Sequence, residues 1–260
     1  MSSASRGRGG RNPRDMPRDQ QVSRKVSWLL RHGAEKEGLK LAKGGWVNVQ
    51  EALDTPSLRK LNITFQELKD IVATNDKQRF SLIPATSLPS GSSTPVPSTI
   101  PEETDQQSDS PSDYLIRANQ GHSLAVDATD LLTPITVEAG NVPSVCVHGT
   151  NDAAWKLILQ SGGLRKMGRN HVHFAAGLPS SFTKPPASDS PEAAQPPVIS
   201  GMRNSSTVLI YVDVRKALDA GIKFWKSENG VILTEGNEKG VLEAKFFEKV
   251  KAGEGDEERV

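Results

Sequence analysis

Two stretches of this chain cannot be packed into a core, and they decide where its folded parts begin and end. Residues 84–113, PATSLPSGSSTPVPSTIPEETDQQSDSPSD, contain no lysine or arginine and consist mainly of Pro, Ser, Thr and acids. Residues 178–200, LPSSFTKPPASDSPEAAQPPVIS, have the same character. Neither shows apolar periodicity, so both are expected to be flexible insertions carried by structured neighbours. Residues 1–20 form a third such segment, with Arg6, Arg8, Arg11, Arg14 and Arg18 set among Gly and Ser. That tail has too little apolar surface to offset the entropy of ordering and is expected to be disordered. It suits weak, salt-sensitive contact with a nucleic-acid backbone, and equally a solvated terminus. A short charged tail closes the chain at 251–260.

Between these segments the pattern divides into two lobes. Residues 21–118 read as mostly helical. Val22, Val26, Leu29 and Leu30 fall at i, i+4, i+7 and i+8, one face of a helix that Gly33 would end. Asn48 with Glu51, and Thr64 with Glu67, have capping-box spacing. The second pair is followed by Phe65, Leu68, Ile71 and Val72 on one face. RFSLI (79–83) and YLIRA (114–118) look extended, and if they pair, the acidic insertion is an enlarged hairpin tip. Three short helices followed by a hairpin is the winged-helix arrangement. Residues 119–250 instead carry short strand-like runs, SVCVHG, HVHFA, TVLIYVDV, IKFWKS, GVILTEG and EAKFFEKV, separated by Gly, Asn and Pro. One helix is expected near 152–160, with Ala154, Leu157 and Ile158 on its apolar face. The fold class is therefore α+β, a helical winged-helix-like lobe followed by a lobe built on a twisted sheet.

Charge selects no partner, since 32 Lys and Arg balance 31 Asp and Glu. The single cysteine, Cys146, excludes an internal disulfide and any paired-cysteine metal site, and its apolar setting suits buried packing. No stretch reaches transmembrane length, and no apolar signal core follows the basic start. The chain is expected to be a monomeric intracellular protein, cytoplasmic or nuclear, with no membrane contact.

The chemistry concentrates where the lobes meet. In YLIRANQGHSLAV (114–126) apolar shoulders grip a dense polar run, Arg117, Asn119, Gln120, His122 and Ser123, with Gly121 between. Lobe junctions are where ligand clefts form. Three arginines have apolar or tightly turned neighbours: Arg31 in LLRHG, Arg117 in this run, and Arg203 in SGMR. Each alone could be a solvated arginine. Together with His32 they suit a phosphate dianion, because the planar guanidinium matches phosphate oxygens in pairs and fixed cations stabilise a phosphoryl-transfer transition state. His171 and His173 at i, i+2 lack acidic or cysteine ligands at metal spacing, so no metal is expected.

These residues carry a resemblance. LLRHG, VATNDKQRF, IRANQGHS, VHGT, GGLRKMGRNHVHFA, SGMR and NGVILTEG resemble, in order, the blocks of the NAD-dependent RNA 2′-phosphotransferases. That family belongs to the ADP-ribosyltransferase superfamily, and the resemblance spans nearly all the chain outside the tail and insertions. It implies an RNA-side lobe followed by a C-terminal lobe of ADP-ribosyltransferase fold. It also implies removal of the splice-junction 2′-phosphate from ligated tRNA, with NAD as co-substrate and tRNA or RNA as partner. The products would be 2′-OH RNA, nicotinamide and ADP-ribose 1″,2″-cyclic phosphate, formed through an ADP-ribosylated RNA intermediate. By the same resemblance the catalytic set falls on Arg31, His32, Arg117 and Arg203. The NAD-side positions fall on Asn119, Ser123, His148, Gly149, Thr150 and His173. A His-His-hydrophobic triad would comprise His148, His173 and either Val231 or Ile232. Two other readings stay open: ADP-ribosylation of RNA terminal phosphates, and a non-catalytic winged-helix RNA-binding protein.

Overall fold

The computed structural model describes residues 16–87, 109–127, 129–178, 202, 205–252 and 257–258. Most of the tail, most of both insertions, and Arg203 lie outside the described residues.

The N-terminal part opens with α1 (Arg18–Trp28), whose Val22 and Val26 are buried as the 3.6-residue spacing requires. The helix does not stop cleanly at Gly33. It widens into a π-helical turn over Leu29–Gly33, and the left-handed cap comes later, at Gly38 with φ 76°. Gly33 serves packing instead, because a β-carbon there would stand 2.6 Å from the Trp28 ring. A π turn adds a residue to one turn and so redirects the side chains it carries. Here those side chains are Arg31 and His32.

Strand β1 (Val47–Asn48) leads into α2 (Val49–Asp54), α3 (Pro56–Arg59) and α4 (Phe65–Ala73). The side chain of Asn48 accepts from the backbone N–H groups of Gln50 and Glu51, and the Thr64 side chain accepts from that of Glu67 at 3.1 Å. Both caps stand where their spacing put them. Thr64→Ala should cost about 1 kcal/mol, read as a lower urea midpoint with unchanged slope.

The hairpin pairs as expected. Strands β2 (Phe80–Pro84) and β3 (Tyr114–Ala118) are antiparallel with Phe80 opposite Ala118, and β1 adds to the far side of β3. Leu29, Leu30, Leu58, Leu68 and Ile116, all essentially sealed from solvent, form one core with the helices and hairpin. Each such side chain contributes about 1.5–3 kcal/mol by burial.

The C-terminal part is built on two four-stranded antiparallel sheets. One has the order β4 (Leu132–Ile135), β9 (Phe224–Ser227), β10 (Ile232–Thr234), β7 (Val172–Phe174). The other runs β13 (Glu257–Glu258), β12 (Phe247–Ala252), β8 (Val208–Val212), β5 (Val147–Thr150). A backbone bridge between Val147 and Ala175 ties the sheets together. A further pair, β6 (Gly163–Arg165) with β11 (Val241–Glu243), closes one end. Strand β8 is buried along its whole length, so its run is continuously apolar rather than alternating. Val208, Ile210 and Val212 meet Phe174, Phe224 and Ile232 in one core, which also buries Cys146. Its burial pushes the Cys146 thiol well above the usual range, so it is inert packing.

Helix α5 (Asp152–Gln160) forms where expected, but its buried face differs. Trp155 is the residue turned inward, with Ile158 packed partly against the same core, while Leu157 is 64% exposed. The larger ring takes the core position that the spacing of smaller apolar residues had suggested for Leu157. A short α6 (Val214–Asp219), capped by the Asp213 side chain, follows β8. No described helix is long and apolar enough to cross a membrane.

Candidate active site

The polar run after β3 is buried from Asn119 to His122 and surfaces at Ser123. Asn119 is 3% and His122 4% exposed. The run is strapped on both sides by backbone hydrogen bonds. The N–H groups of Ser123 and Leu124 donate to the Arg31 carbonyl at 3.0 and 3.4 Å, and the Asn170 N–H donates to the His122 carbonyl at 2.9 Å. The Asn170 side-chain amide also donates to the Leu124 carbonyl at 2.8 Å. Thus the π turn of the first part and the loop before β7 of the second part both hold residues 119–124. Gly121, at φ 88°, lets the Arg31 guanidinium lie against it; a β-carbon would meet Arg31 Nε and Cζ at 3.5 Å.

Hydrogen bonds and mutual electrostatics link several of the expected residues around this strap. His32 Nδ1 shares a 2.8 Å hydrogen bond with Ser123 Oγ. On β5, His148 Nδ1 donates to the His173 carbonyl on β7 at 2.9 Å, joining the two sheets at the site. Gly149 and Thr150 continue β5, opposite Leu209 and Val208. The bare side of Gly149 is covered, since a β-carbon would fall 2.3 Å from Met202 Cγ and 2.5 Å from Ser206 Oγ. Val231 and Ile232 face opposite sides of their strand. Ile232 belongs to the core between the sheets, whereas Val231 joins Leu131, Leu132 and Leu233 on the other face, and Leu233 lies opposite His173.

Arg117 is held differently from Arg31. Its guanidinium stacks over Trp46 at 4.4 Å and donates to the Asp130 carbonyl at 3.0 Å and, at 3.5 Å, to that of Gly44. It also pairs with Glu228 across the lobes at 3.0 Å. Asn119 is spent internally: its amide donates to the Gln78 carbonyl at 2.9 Å and its oxygen accepts from Ser81 Oγ at 2.6 Å. These bonds brace the run from the side of β2.

The electrostatics follow from burial. Desolvation, with Arg169 and Arg79 nearby, lowers Arg31 to about 10, so it stays charged near neutral pH. Burial first, then Arg31, His32, His171 and Arg117, lowers His122 to about 4. Burial, then Arg169, His171 and Arg31, lowers His173 to about 3. His32 and His171 are lowered mainly by burial as well. The cleft therefore holds fixed guanidinium charge beside neutral imidazoles.

Six buried side-chain atoms among the described residues lack a hydrogen-bond partner, and five of them are here: Arg31 Nε and Nη2, Arg117 Nε, His122 Nε2 and His173 Nε2. An unpaired buried donor costs about 1–3 kcal/mol, more if charged, so such clustering marks a place completed by a ligand. The donors suit phosphate or pyrophosphate oxygens. No described group of three or more His, Cys, Asp or Glu could hold a metal ion.

Sequence reasoning left out His122, Arg169, Arg79 and Glu228 as site residues. His122 and Arg169 stand inside the quoted blocks, but arginines were chosen by apolar neighbours, and Arg169 has only Gly and Asn beside it. Glu228 lies in a turn and leaves no periodic signal.

Comparison with known proteins gives the chain's family. Residues 17–236 match the family model described as RNA 2′-phosphotransferase, Tpt1 / KptA family. The chain is 38% identical over 247 residues to tRNA 2′-phosphotransferase 1 of Danio rerio, covering 95% of this chain and 90% of the relative. It is 37% identical over 248 residues to the Homo sapiens protein of the same name, covering 95% and 81%. With the tRNA 2′-phosphotransferase of Saccharomyces cerevisiae it shares 33% over 220 residues, covering 84% and 79%.

Proposed function

The chain belongs to the RNA 2′-phosphotransferase family, and from that premise we propose that it removes the splice-junction 2′-phosphate of ligated tRNA by transferring it to NAD. The observation that carries this reading is the cluster of orphaned buried nitrogens on Arg31, Arg117, His122 and His173. Residues 21–118 form the winged-helix-like RNA lobe and residues 119–250 the NAD lobe of ADP-ribosyltransferase fold. Ser123, His148, Gly149, Thr150 and His173 hold the dinucleotide, with His148, His173 and Val231 as the triad. Asn119 supports that surface from behind through its bonds to Gln78 and Ser81.

A phosphate monoester is already ionised near neutral pH, so the acceptor needs no general base. This fits the strand β10, which brings Ile232, Leu233 and Thr234 rather than a carboxylate. In the first step a phosphate oxygen bonds to the anomeric carbon of the nicotinamide ribose as nicotinamide leaves. In the second, the ribose 2″-hydroxyl bonds to phosphorus as the RNA 2′-oxygen leaves and takes a proton. Fixed cations, Arg31, Arg117 and Arg203, neutralise the oxygens throughout, and the protein forms no covalent bond.

The test is incubation with a 2′-phosphorylated RNA oligonucleotide, with and without NAD, in excess chelator. The expected result is loss of the phosphate only with NAD, at full rate under chelation, with ADP-ribose cyclic phosphate as co-product. Dephosphorylation without NAD would overturn the reaction. Abolition by chelator, restored by one metal, would overturn the metal-free route.

A further inference from the structure

We infer that the groove between the two lobes is a nucleobase subsite, where Glu228 and Gln78 read an exocyclic amino group on the RNA beside its 2′-phosphate. The inference rests on the function proposed above.

The groove is open to solvent and has a volume of about 310 Å³, at the small end of ligand sites. Val72, Leu82 and Ile83 supply an apolar wall, and Gln78, Glu228 and Asn229 a polar one. None of its lining residues is Lys or Arg, and its one formal charge is the Glu228 carboxylate. Such a surface repels a phosphodiester but suits an uncharged planar group carrying N–H donors. Single-stranded RNA presents such groups when its bases are splayed out of a helix.

The hydrogen-bonding inventory agrees. Asn229 is anchored: its amide donates to the Lys77 carbonyl at 2.9 Å and its oxygen accepts from Ser227 Oγ at 2.8 Å. It holds the 227–230 turn against the first lobe. Glu228 Oε2 accepts from Arg117 Nη2 at 3.0 Å and lies 2.7 Å from Ser81 Oγ, whose single proton it shares with Asn119 Oδ1. Its Oε1 and the exposed Gln78 amide have no hydrogen-bond partner among the described residues. Gln78 also sits at φ 42°, a left-handed conformation uncommon for a residue other than glycine and often found at functional sites. Because Glu228 touches Arg117, a group reaching Oε1 lies beside the phosphate that Arg117 would neutralise. A carboxylate accepts from the cytosine amino group, whereas uracil places an oxygen at that position. The adenine of NAD carries an amino group too, so the experiment must separate the two sources.

The experiment compares kcat/KM for 2′-phosphorylated oligonucleotides that differ only in cytosine or uracil, at the phosphorylated nucleotide or at its 3′ neighbour. Cytosine should be preferred at one of these positions by about tenfold, the discrimination of one hydrogen-bonded pair partly open to water. Glu228→Gln and Gln78→Gly should each bring the ratio close to one. Glu228→Gln also disturbs Arg117 and should slow both substrates, so the ratio is the readout. Gln78 does not touch Arg117, and glycine accepts its backbone angle, so that variant tests the subsite alone. Equal use of cytosine and uracil by the unaltered protein, or a preference that survives both variants, would overturn the inference. So would a KM for a hypoxanthine dinucleotide that exceeds that for NAD in the unaltered protein but not in Glu228→Gln, since the groove would then read adenine. Absence of turnover on every oligonucleotide would overturn the function itself, and this inference with it.

Discussion

Arg31→Ala and His32→Ala should each slow the second chemical step by about a hundredfold to a thousandfold and let ADP-ribosylated RNA accumulate. The first step has a good leaving group and an ionised nucleophile, and its substrates supply most of what it needs. The second must expel an alkoxide while charge builds on the phosphoryl oxygens. Arg31 is placed for that burden: its Nε and Nη2 are buried without partners, and its flank rests on Gly121. His32 is fixed by Ser123 and projects from the same π turn. Losing one preorganised donor to such a centre costs about 2.7–4 kcal/mol, which gives the stated range. Ser123→Ala keeps the His32 imidazole and should chiefly weaken dinucleotide binding, with far less build-up of intermediate than His32→Ala. A gel time course with labelled 2′-phosphorylated RNA separates substrate, intermediate and product. Slow substrate loss without intermediate in the Arg31 and His32 variants would show that these groups act in the first step.

The same π turn shows where a sequence stops being informative. The apolar spacing of Val22, Val26, Leu29 and Leu30 is a property of a regular helix, and all four residues are buried. The extra residue in the turn that follows goes with Trp28 lying over Gly33, a contact between positions five apart that regular helical spacing does not signal. Caps at Asn48 and Thr64 were legible because their bonds close within three residues. Strand β4 was not, since it is four residues long, contains Pro134 and survives only as a sheet edge. On α5 Ile158 packs on the core as expected, but the face is turned toward Trp155, whose ring has the larger contact area, and away from Leu157. In the site, Arg31, His32, Ser123, His148 and His173 were legible through contiguous blocks. The Arg117–Glu228 pair joins residues far apart in the chain, and only the docking of the lobes reveals it.

The buried imidazoles make the fold sensitive to mild acid. His122 titrates near 6.5 when unfolded and near 4 when folded, because burial and the charges of Arg31, Arg117, His32 and His171 disfavour its cation. Above pH 6.5 neither state binds the proton and there is no penalty. Between pH 6.5 and 4 the unfolded chain takes up a proton that the folded chain refuses, so stability falls as pH falls. One pKa unit corresponds to about 1.36 kcal/mol, so His122 alone should remove about 2 kcal/mol by pH 5. His173, depressed to about 3, acts in the same direction. Carboxylates held low by partners, such as Glu67 beside Arg18, add their losses only below about pH 4.5, so the windows separate. Thermal midpoints should stay nearly level from pH 8 to about pH 6.5 and fall from there to pH 5, and His122→Gln should flatten that fall although it weakens the protein at pH 8. Inorganic sulfate should raise the midpoint more at pH 5 than at pH 8, since an anion among the unpaired nitrogens lets the imidazoles take up charge. A midpoint independent of pH over this range, or a His122→Gln slope equal to the original, would mean that the cleft is open enough to water to solvate its histidines.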